Sequence, residues 1–221
     1  MKTFALSAFV LAYAAAFSQA SVYIEWTNPP SSGYQIQHFF WEPMTFAYDF
    51  TVGATDILVT SIAIWDHESD GLAHSYDVVI WDSFGMVAAS ATIPEGTTAG
   101  LNGEYRYSHL TESVLLTAGN TYIIGAWYPD NQDAVFSWSS WNSTGNSDFA
   151  AIGANSGDIP SSALTFPDGQ LDQSGPYFGP AFHYQVVPEP GTFALFILGA
   201  AVAAVFKCKR GSNKTNAAYR R

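Results

Sequence analysis

Residues 76–93 read YDVVIWDSFGMVAASATI, which is two apolar runs separated by a short turn. The runs, 76–82 and 86–93, are rich in valine, isoleucine and other residues that favour strands. Between them, Ser83-Phe84-Gly85 supplies the glycine that a tight hairpin turn needs. The stretch therefore predicts two antiparallel strands joined by a hairpin.

The chain between residues 21 and 187 repeats this pattern of short apolar runs divided by turn residues. In one run Phe46, Tyr48 and Phe50 alternate along a single face, as in a half-buried strand. The predicted strands outside the hairpin are 45–52, 57–65, 114–116, 121–128, 135–138 and 181–187. No helical periodicity extends beyond a few turns. Residues 21–187 are therefore predicted to be all-β, an antiparallel β-sandwich or jelly roll.

This central region is strongly acidic. It holds 18 of the 19 acidic residues of the chain, and Arg106 is its one basic residue. A net charge of about −17 predicts that the region repels nucleic acid and anionic lipid, because a protein needs clustered Lys and Arg to bind either of them. Neutral polymers and divalent cations remain compatible with it. The one cysteine, Cys208, lies outside the region, so no internal disulfide is expected.

The N-terminal twenty residues have the features of a secretory signal peptide. Lys2 supplies the positive charge, and an apolar run follows from Phe4 to Phe17. Ser18-Gln19-Ala20 then places small residues where a signal peptidase requires them. Residues 1–20 are therefore predicted to be a signal helix that is removed on export.

The C-terminal segment predicts a single membrane anchor. Val187-Pro188-Glu189-Pro190 precedes an uncharged apolar run that ends at Phe206, so a helix is expected over 192–206. About fifteen residues at ~1.5 Å each span about 22 Å, short of a hydrocarbon core of about 30 Å. Lys207, Lys209 and Arg210 should remain cytoplasmic, with the basic tail 211–221, which places the acidic region outside.

This tail resembles a PEP-CTERM sorting signal, a bacterial tripartite segment of a Pro-Glu-Pro motif, a transmembrane helix and a basic cluster. Pro188, Glu189 and Pro190 match the motif, and Lys207, Lys209 and Arg210 match the basic stop; the resemblance covers 188–210. It implies processing by an exosortase, a membrane cysteine protease-transpeptidase, after transient residence in the inner membrane. It also implies delivery to the outer surface of a Gram-negative bacterium that makes exopolysaccharide. Residues 211–221 extend beyond the usual end of such tails.

A second resemblance covers about residues 45–130. Asp70-Gly71-Leu72, Val78-Val79-Ile80-Trp81 and Thr121-Tyr122 are similar to positions in an uncharacterised β-sandwich domain common in PEP-CTERM proteins. The resemblance supports a β-sandwich fold and implies no activity.

A metal site is suggested by acidic residues at alternate positions. Asp66, Glu68 and Asp70 are followed by Gly71, a spacing that suits oxygen ligands of Ca²⁺ around a sharp turn. Asp77 stands where a closing carboxylate would lie. The alternative is an acidic hairpin loop without metal.

Aromatic residues provide a second candidate site. Trp138, Trp141 and Tyr128 lie in or beside segments rich in Ser, Asn and Gly, and flat aromatic faces stack against sugar rings. The segments 137–147 and 153–179 are predicted to be loops that would carry such contacts. The alternative is that strand aromatics form the core, and this is the preferred interpretation for Trp65, Trp81 and Trp127.

The sequence gives little support for catalysis. The five histidines lack metal-ligand spacing, no G-x-S-x-G motif occurs, and the acidic region has no cysteine. Carboxylates paired in space would still permit a glycan-acting enzyme. We therefore expect a non-enzymatic envelope or matrix protein without a required cofactor. The alternative is a carbohydrate-binding module, with or without Ca²⁺.

Overall fold

The computed structural model describes residues 22–23, 34–37, 42–138, 148–168 and 177–187. The predicted signal peptide 1–20, Trp141, the sorting segment 188–210 and the tail 211–221 lie outside the described residues. The chain divides into two compact units, Met1–Val186 and Val187–Arg221. Among the described residues, no helix is long and apolar enough to cross a membrane, and the predicted span 192–206 is not among them.

The described residues form thirteen strands and one 3₁₀ turn at His67–Ser69. The strands are β1 Val22–Tyr23, β2 Tyr34–Gln37, β3 Met44–Val52, β4 Ile57–Trp65, β5 Tyr76–Asp82, β6 Val87–Ile93, β7 Gly100–Asn102, β8 Tyr105–Leu116, β9 Thr121–Tyr128, β10 Val135–Trp138, β11 Phe149–Pro160, β12 Tyr177–Phe178 and β13 Pro180–Val186. All observed pairings are antiparallel. The all-β antiparallel prediction is confirmed.

The strands make three sheets. The first sheet has the order β1-β13-β4-β8-β7, the second sheet β11-β3-β9-β5-β6, and a small third sheet β12-β10-β2. Side chains from all three sheets share one apolar core. The ring of Phe50 on β3 lies 4.9 Å from that of Phe182 on β13, which links the second sheet to the first. Phe178 on β12 packs 4.9 Å from Tyr48 and joins the third sheet to the same core.

Strand alternation explains which aromatics enter this core. Phe46, Tyr48 and Phe50 are all buried, as their spacing predicts, because successive side chains of a strand point to opposite faces. Such rings each bury a large apolar area, so they contribute much of the stabilisation in a domain without an internal disulfide.

The second sheet is covered on its other face as well. Ala47, Val79, Trp81 and Ile123 form a smaller apolar cluster, against which Leu164 and Phe166 pack. The indole of Trp127 donates to the carbonyl oxygen of Ser161 at 2.9 Å, which fixes the start of the covering segment 161–168. Residues 161–168 are a loop, as predicted, and Leu164 and Phe166 of this loop pack against the second sheet.

Several stretches predicted as loop or left unassigned are strands, and the two longest belong to β11 and β8. Residues 153–160 belong to β11, which pairs with β3 despite its small polar residues. The free edge of β3 supplies the hydrogen-bond partners, so tertiary context overrides local propensity. Residues 105–113 likewise extend the predicted strand 114–116 into β8, where they pair with β4 and β7.

Candidate functional site

The predicted calcium loop is held by an ion pair. Asp66 is 1% exposed and Arg106 is 4% exposed. The guanidinium Nε of Arg106 donates to Oδ2 of Asp66 at 2.7 Å. The backbone N–H of Gly71 donates to the same carboxylate at 3.1–3.2 Å. The carboxylate that heads the loop therefore already has a cationic partner from the protein itself.

Arg106 also donates to backbone carbonyl groups in the same loop and in one other segment. Its Nη1 donates to the carbonyl oxygens of Thr97 and Ala99, each at 3.3 Å, and its Nη2 donates to that of Ser69 at 3.2 Å. A planar guanidinium can make these bonds at once because its donors have a fixed fork geometry. Arg106 thus binds β8 to the 66–71 loop and to the segment before β7.

The other predicted calcium ligands do not form a metal-binding group with Asp66 in the part of the chain that the structure describes. Glu68 and Asp70 are exposed. The backbone of Glu68 has a φ of 66°, a left-handed conformation that is unusual for a residue other than glycine. Asp77 lies on β5, where it accepts from the Thr92 hydroxyl. No group of three or more His, Cys, Asp or Glu is placed to hold a metal ion in the described parts of the chain. The calcium hypothesis therefore rests on the sequence pattern alone.

Tyr128 lies in the core. It is fully buried, and its ring packs 5.3 Å from that of Phe46 and 4.9 Å from that of Tyr76. Burial raises the pKa of Tyr128 well above its ordinary value. In place of the predicted sugar-stacking face, Tyr128 provides core packing, because β9 directs it between the sheets. Trp138 is the last residue of β10, and its side chain is not among those that the structure describes. Trp141 lies outside the described residues.

A polar cluster lies where the loop after β9 approaches the segment before β5. Asp133 accepts from the Tyr76 hydroxyl at 2.6 Å and from the Ala73 N–H at 2.8 Å. Burial raises the pKa of Asp133, although these hydrogen bonds oppose the rise. Beside it, His74 Nε2 lies 2.9 Å from Asp130 Oδ2. Burial by itself would raise the pKa of Asp130. Hydrogen bonds from Gln132 and His74 outweigh this effect, so the pKa of Asp130 is lowered. The cluster joins the two loops.

A serine and two histidines meet in the first sheet. Ser61 on β4 pairs with His109 on β8 and with His183 on β13, and its hydroxyl lies 2.8 Å from His109 Nδ1. Ser61 is fully buried, so a substrate does not reach its hydroxyl in this arrangement. Burial lowers the pKa of His183 to about 4, and the nearby His109 contributes to the lowering. The group is a packed polar contact between three neighbouring strands.

The candidate binding site is an open groove of about 400 Å³ at one end of the sandwich. It is lined by the turn between β5 and β6, the end of β8 and the start of β9, so it lies between the two large sheets. Phe84 from the turn is 87% exposed. Leu115, also exposed, lines the groove together with the polar residues Asn120 and Thr121. The sequence pattern predicts Phe84 only as a turn residue, although a phenylalanine at a hairpin turn is itself a sign of an exposed contact.

The last strand of the fold ends directly before the Pro-Glu-Pro sequence. β13 ends at Val186, and Pro188, Glu189 and Pro190 follow within four residues. Residues 186–210 match the PEP-CTERM protein-sorting motif. The comparison with curated proteins finds no similar sequence.

The PEP-CTERM match includes both predicted functional parts of the tail. Pro188, Glu189 and Pro190 lie at its start, and Lys207, Lys209 and Arg210 lie at its end. The match supports exosortase-dependent sorting of an exported protein through a membrane-anchored precursor. It covers the C-terminal segment and not the acidic β-rich region 21–187, here called the β-domain.

Proposed function

We propose that this chain is a non-enzymatic component of the outer envelope or extracellular matrix of a Gram-negative bacterium, displayed there after exosortase processing. The observation that carries the proposal is the PEP-CTERM motif at 186–210, which begins at the last residue of β13. A sorting signal in this position can be cut from the chain without removing a strand from the fold.

Both ends of the sequence support export. An apolar run after Lys2 fits a signal peptide, and the basic residues after Phe206 fit a cytoplasmic stop. The precursor would then have its β-domain outside and its tail in the inner membrane. Exosortase would be the first partner of the chain, and the membrane contact would be transient.

The placement of reactive groups favours a role without catalysis. The Asp66 carboxylate binds Arg106, and the Asp133 carboxylate binds Tyr76 and the backbone of Ala73. The Ser61 hydroxyl lies beside His109 but is fully buried. These groups stabilise loops and strands, whereas a catalytic group must reach its substrate.

The charge of the β-domain is consistent with a matrix role. A domain with 18 acidic residues and one basic residue remains soluble at high concentration and does not adsorb to nucleic acid or anionic lipid. Neutral polysaccharide carries no charge for it to repel. Glycan binding is a second candidate function, and the groove beside Phe84 favours it.

The sorting step is tested by exchanging Pro188, Glu189 and Pro190 for alanine in a host that encodes an exosortase. We expect the unaltered chain to lose its tail and become accessible to an antibody on intact cells. The altered chain should keep its tail and remain in the inner membrane, as should the unaltered chain in a host whose exosortase gene is deleted. Fractionation and intact-mass measurement report both outcomes.

The matched control replaces Lys214, Thr215 and Asn216 by alanine, three residues beyond the matched segment. This control should be processed normally. Equal processing of the chain with and without Pro188-Glu189-Pro190, or recovery of the chain in the cytosol with residues 1–20 attached, would contradict the proposal.

A further inference from the structure

The turn that presents Phe84 is held by several hydrogen bonds. Asp82 Oδ1 accepts from the backbone N–H groups of Phe84 and Met86, each at 2.9 Å. The Gly85 N–H donates to the Asp82 carbonyl oxygen at 3.1 Å, and Gly85 has a φ of 82°, which glycine adopts without strain. The exposed ring is thus attached to an ordered backbone, and holding such a residue in place before binding reduces the entropy lost on binding.

The groove beside this ring has a mixed lining. Leu115 and Val114 supply apolar surface, and Asn120 and Thr121 supply polar groups. Its volume of about 400 Å³ lies within the usual range for small-ligand sites, and it opens to solvent at the end of the sandwich. A sugar ring has an apolar C–H face and a rim of hydroxyl groups, so it matches both parts of the lining. The Thr121 hydroxyl bonds to that of Thr51 at 2.8 Å and can form one further hydrogen bond. An apolar peptide would leave that further bond unmade and would give the Asn120 amide no partner.

The charge of the domain limits the ligand further. With 18 acidic residues and one basic residue, and with Asp82 in the groove lining itself, an anionic polymer would be repelled. The basic residue Arg106 is buried against Asp66 and does not face the groove as a counter-charge. A neutral ligand meets no such barrier.

We infer that this groove binds a neutral hexose polymer, with one sugar ring stacked on Phe84 and its hydroxyl groups bonded to Asn120 and Thr121. The inference deepens the proposed function, since it assigns the displayed domain a partner, and export gives the domain access to that partner. It places the sugar contact on Phe84, a residue outside the aromatic set that the sequence suggested.

The test measures binding of neutral hexose hexamers (β-1,4-glucan, β-1,3-glucan, α-1,4-glucan and β-1,4-mannan) by titration calorimetry. The intact chain is kept in a polyoxyethylene detergent, which carries no sugar headgroup that would compete. Hexagalacturonate serves as the anionic control. We expect at least one neutral hexamer to bind at millimolar concentration or below and hexagalacturonate not to bind.

Three substitutions at Phe84 separate stacking from simple apolar contact. Phe84→Tyr should keep the affinity, whereas Phe84→Leu and Phe84→Ser should each weaken it about tenfold, since a stacked aromatic ring is lost. Met86→Ser is the matched control, because Met86 is an exposed apolar residue of the same turn outside the groove lining. All four variants change one of two exposed turn residues, so an unchanged thermal unfolding curve shows that each variant is folded.

The inference is overturned if none of the four neutral hexamers binds, or if Phe84→Leu binds as well as Phe84→Tyr. Dimerisation that depends on Phe84, without sugar binding, would assign the surface to a second copy and also overturn it. The outcome is separable from the sorting test: a chain that is sorted normally but binds no hexamer contradicts this inference alone. A chain that binds a hexamer but is never exported contradicts only the proposed function.

Discussion

At the scale of single residues, His183 shows how burial makes the fold sensitive to acid. Its ring lies 5.1 Å from that of Tyr107, and the residue is 5% exposed. The positively charged form of the ring would therefore be poorly solvated. Burial lowers the pKa of His183 to about 4, below its ordinary value of about 6.5. The neutral ring is therefore the form that the folded state stabilises.

This lowering predicts a loss of stability in acid. Above pH 6.5 the ring is neutral in both the folded and unfolded states, so the contribution of His183 is complete. Between pH 6.5 and about 4 the unfolded state takes up a proton that the folded state resists, and roughly 3 kcal/mol is lost. Unfolding midpoints in urea, measured at pH 7 and pH 4.5, report this difference.

Substitutions at two histidines test the assignment. His183→Gln should reduce the loss between pH 7 and pH 4.5, because glutamine does not titrate. His109→Gln should reduce it by less, since His109 is the smaller of the two causes that lower the pKa of His183. An acid loss that is the same in His183→Gln and in the unaltered chain would show that another group is responsible.

At the scale of strands and loops, Arg106 joins elements that are distant in sequence. Its side chain bonds to Asp66 after β4, to Ser69 in the 3₁₀ turn and to two carbonyl groups before β7. The loop it holds contains two residues other than glycine with positive φ, Glu68 and Ser69. Such conformations cost energy and persist when surrounding contacts hold them.

Removing this side chain should destabilise the domain strongly. Arg106→Met leaves the Asp66 carboxylate buried without its cation, which typically costs about 3–5 kcal/mol. Asp66→Asn combined with Arg106→Met removes the buried charge and keeps an oxygen for the Gly71 N–H, so part of the stability should return. Thermal and urea unfolding of the three chains measure this. A double variant no more stable than Arg106→Met would show that the carboxylate charge is not the cause.

The same scale shows what sequence patterns can and cannot supply. β4, β5, β9 and β10 have the predicted bounds, because alternation and turn residues are local properties. β11 was missed because its small polar residues carry no strand signal, and only the edge of β3 gives them partners. The partnership of Asp66 with Arg106 spans forty residues, so no local pattern contains it.

At the scale of the whole molecule, uncompensated charge should limit stability. The β-domain carries a net charge of about −17, and compacting like charges costs energy that salt reduces. Raising KCl from about 10 mM to about 150 mM shortens the Debye length from about 30 Å to about 8 Å. We therefore expect the melting temperature to rise by about 2–4 °C, equivalent to about 1 kcal/mol in a domain of this size.

Calcium at equal ionic strength separates general screening from specific binding. The calcium hypothesis predicts a further rise in melting temperature, and Asp70→Ala should remove it because Asp70 is a predicted ligand. Asp70 is exposed in the structure, so its substitution should not disturb the core. Asp168→Ala is a matched control, being an exposed acidic residue in a different segment. A melting temperature that does not change with KCl would contradict the screening argument, and equal effects of CaCl₂ and KCl would contradict the calcium hypothesis.

The order of residues alone was enough to predict a β-rich acidic domain and a sorting tail, because periodicity, charge and short motifs are read along the chain. The three-dimensional structure was needed to show that Tyr128 lies in the core, that Phe84 lies on the surface and that Asp66 forms an ion pair with Arg106. Those assignments depend on which sheet faces pack together and which turns extend beyond them, and such contacts join residues that are far apart in sequence.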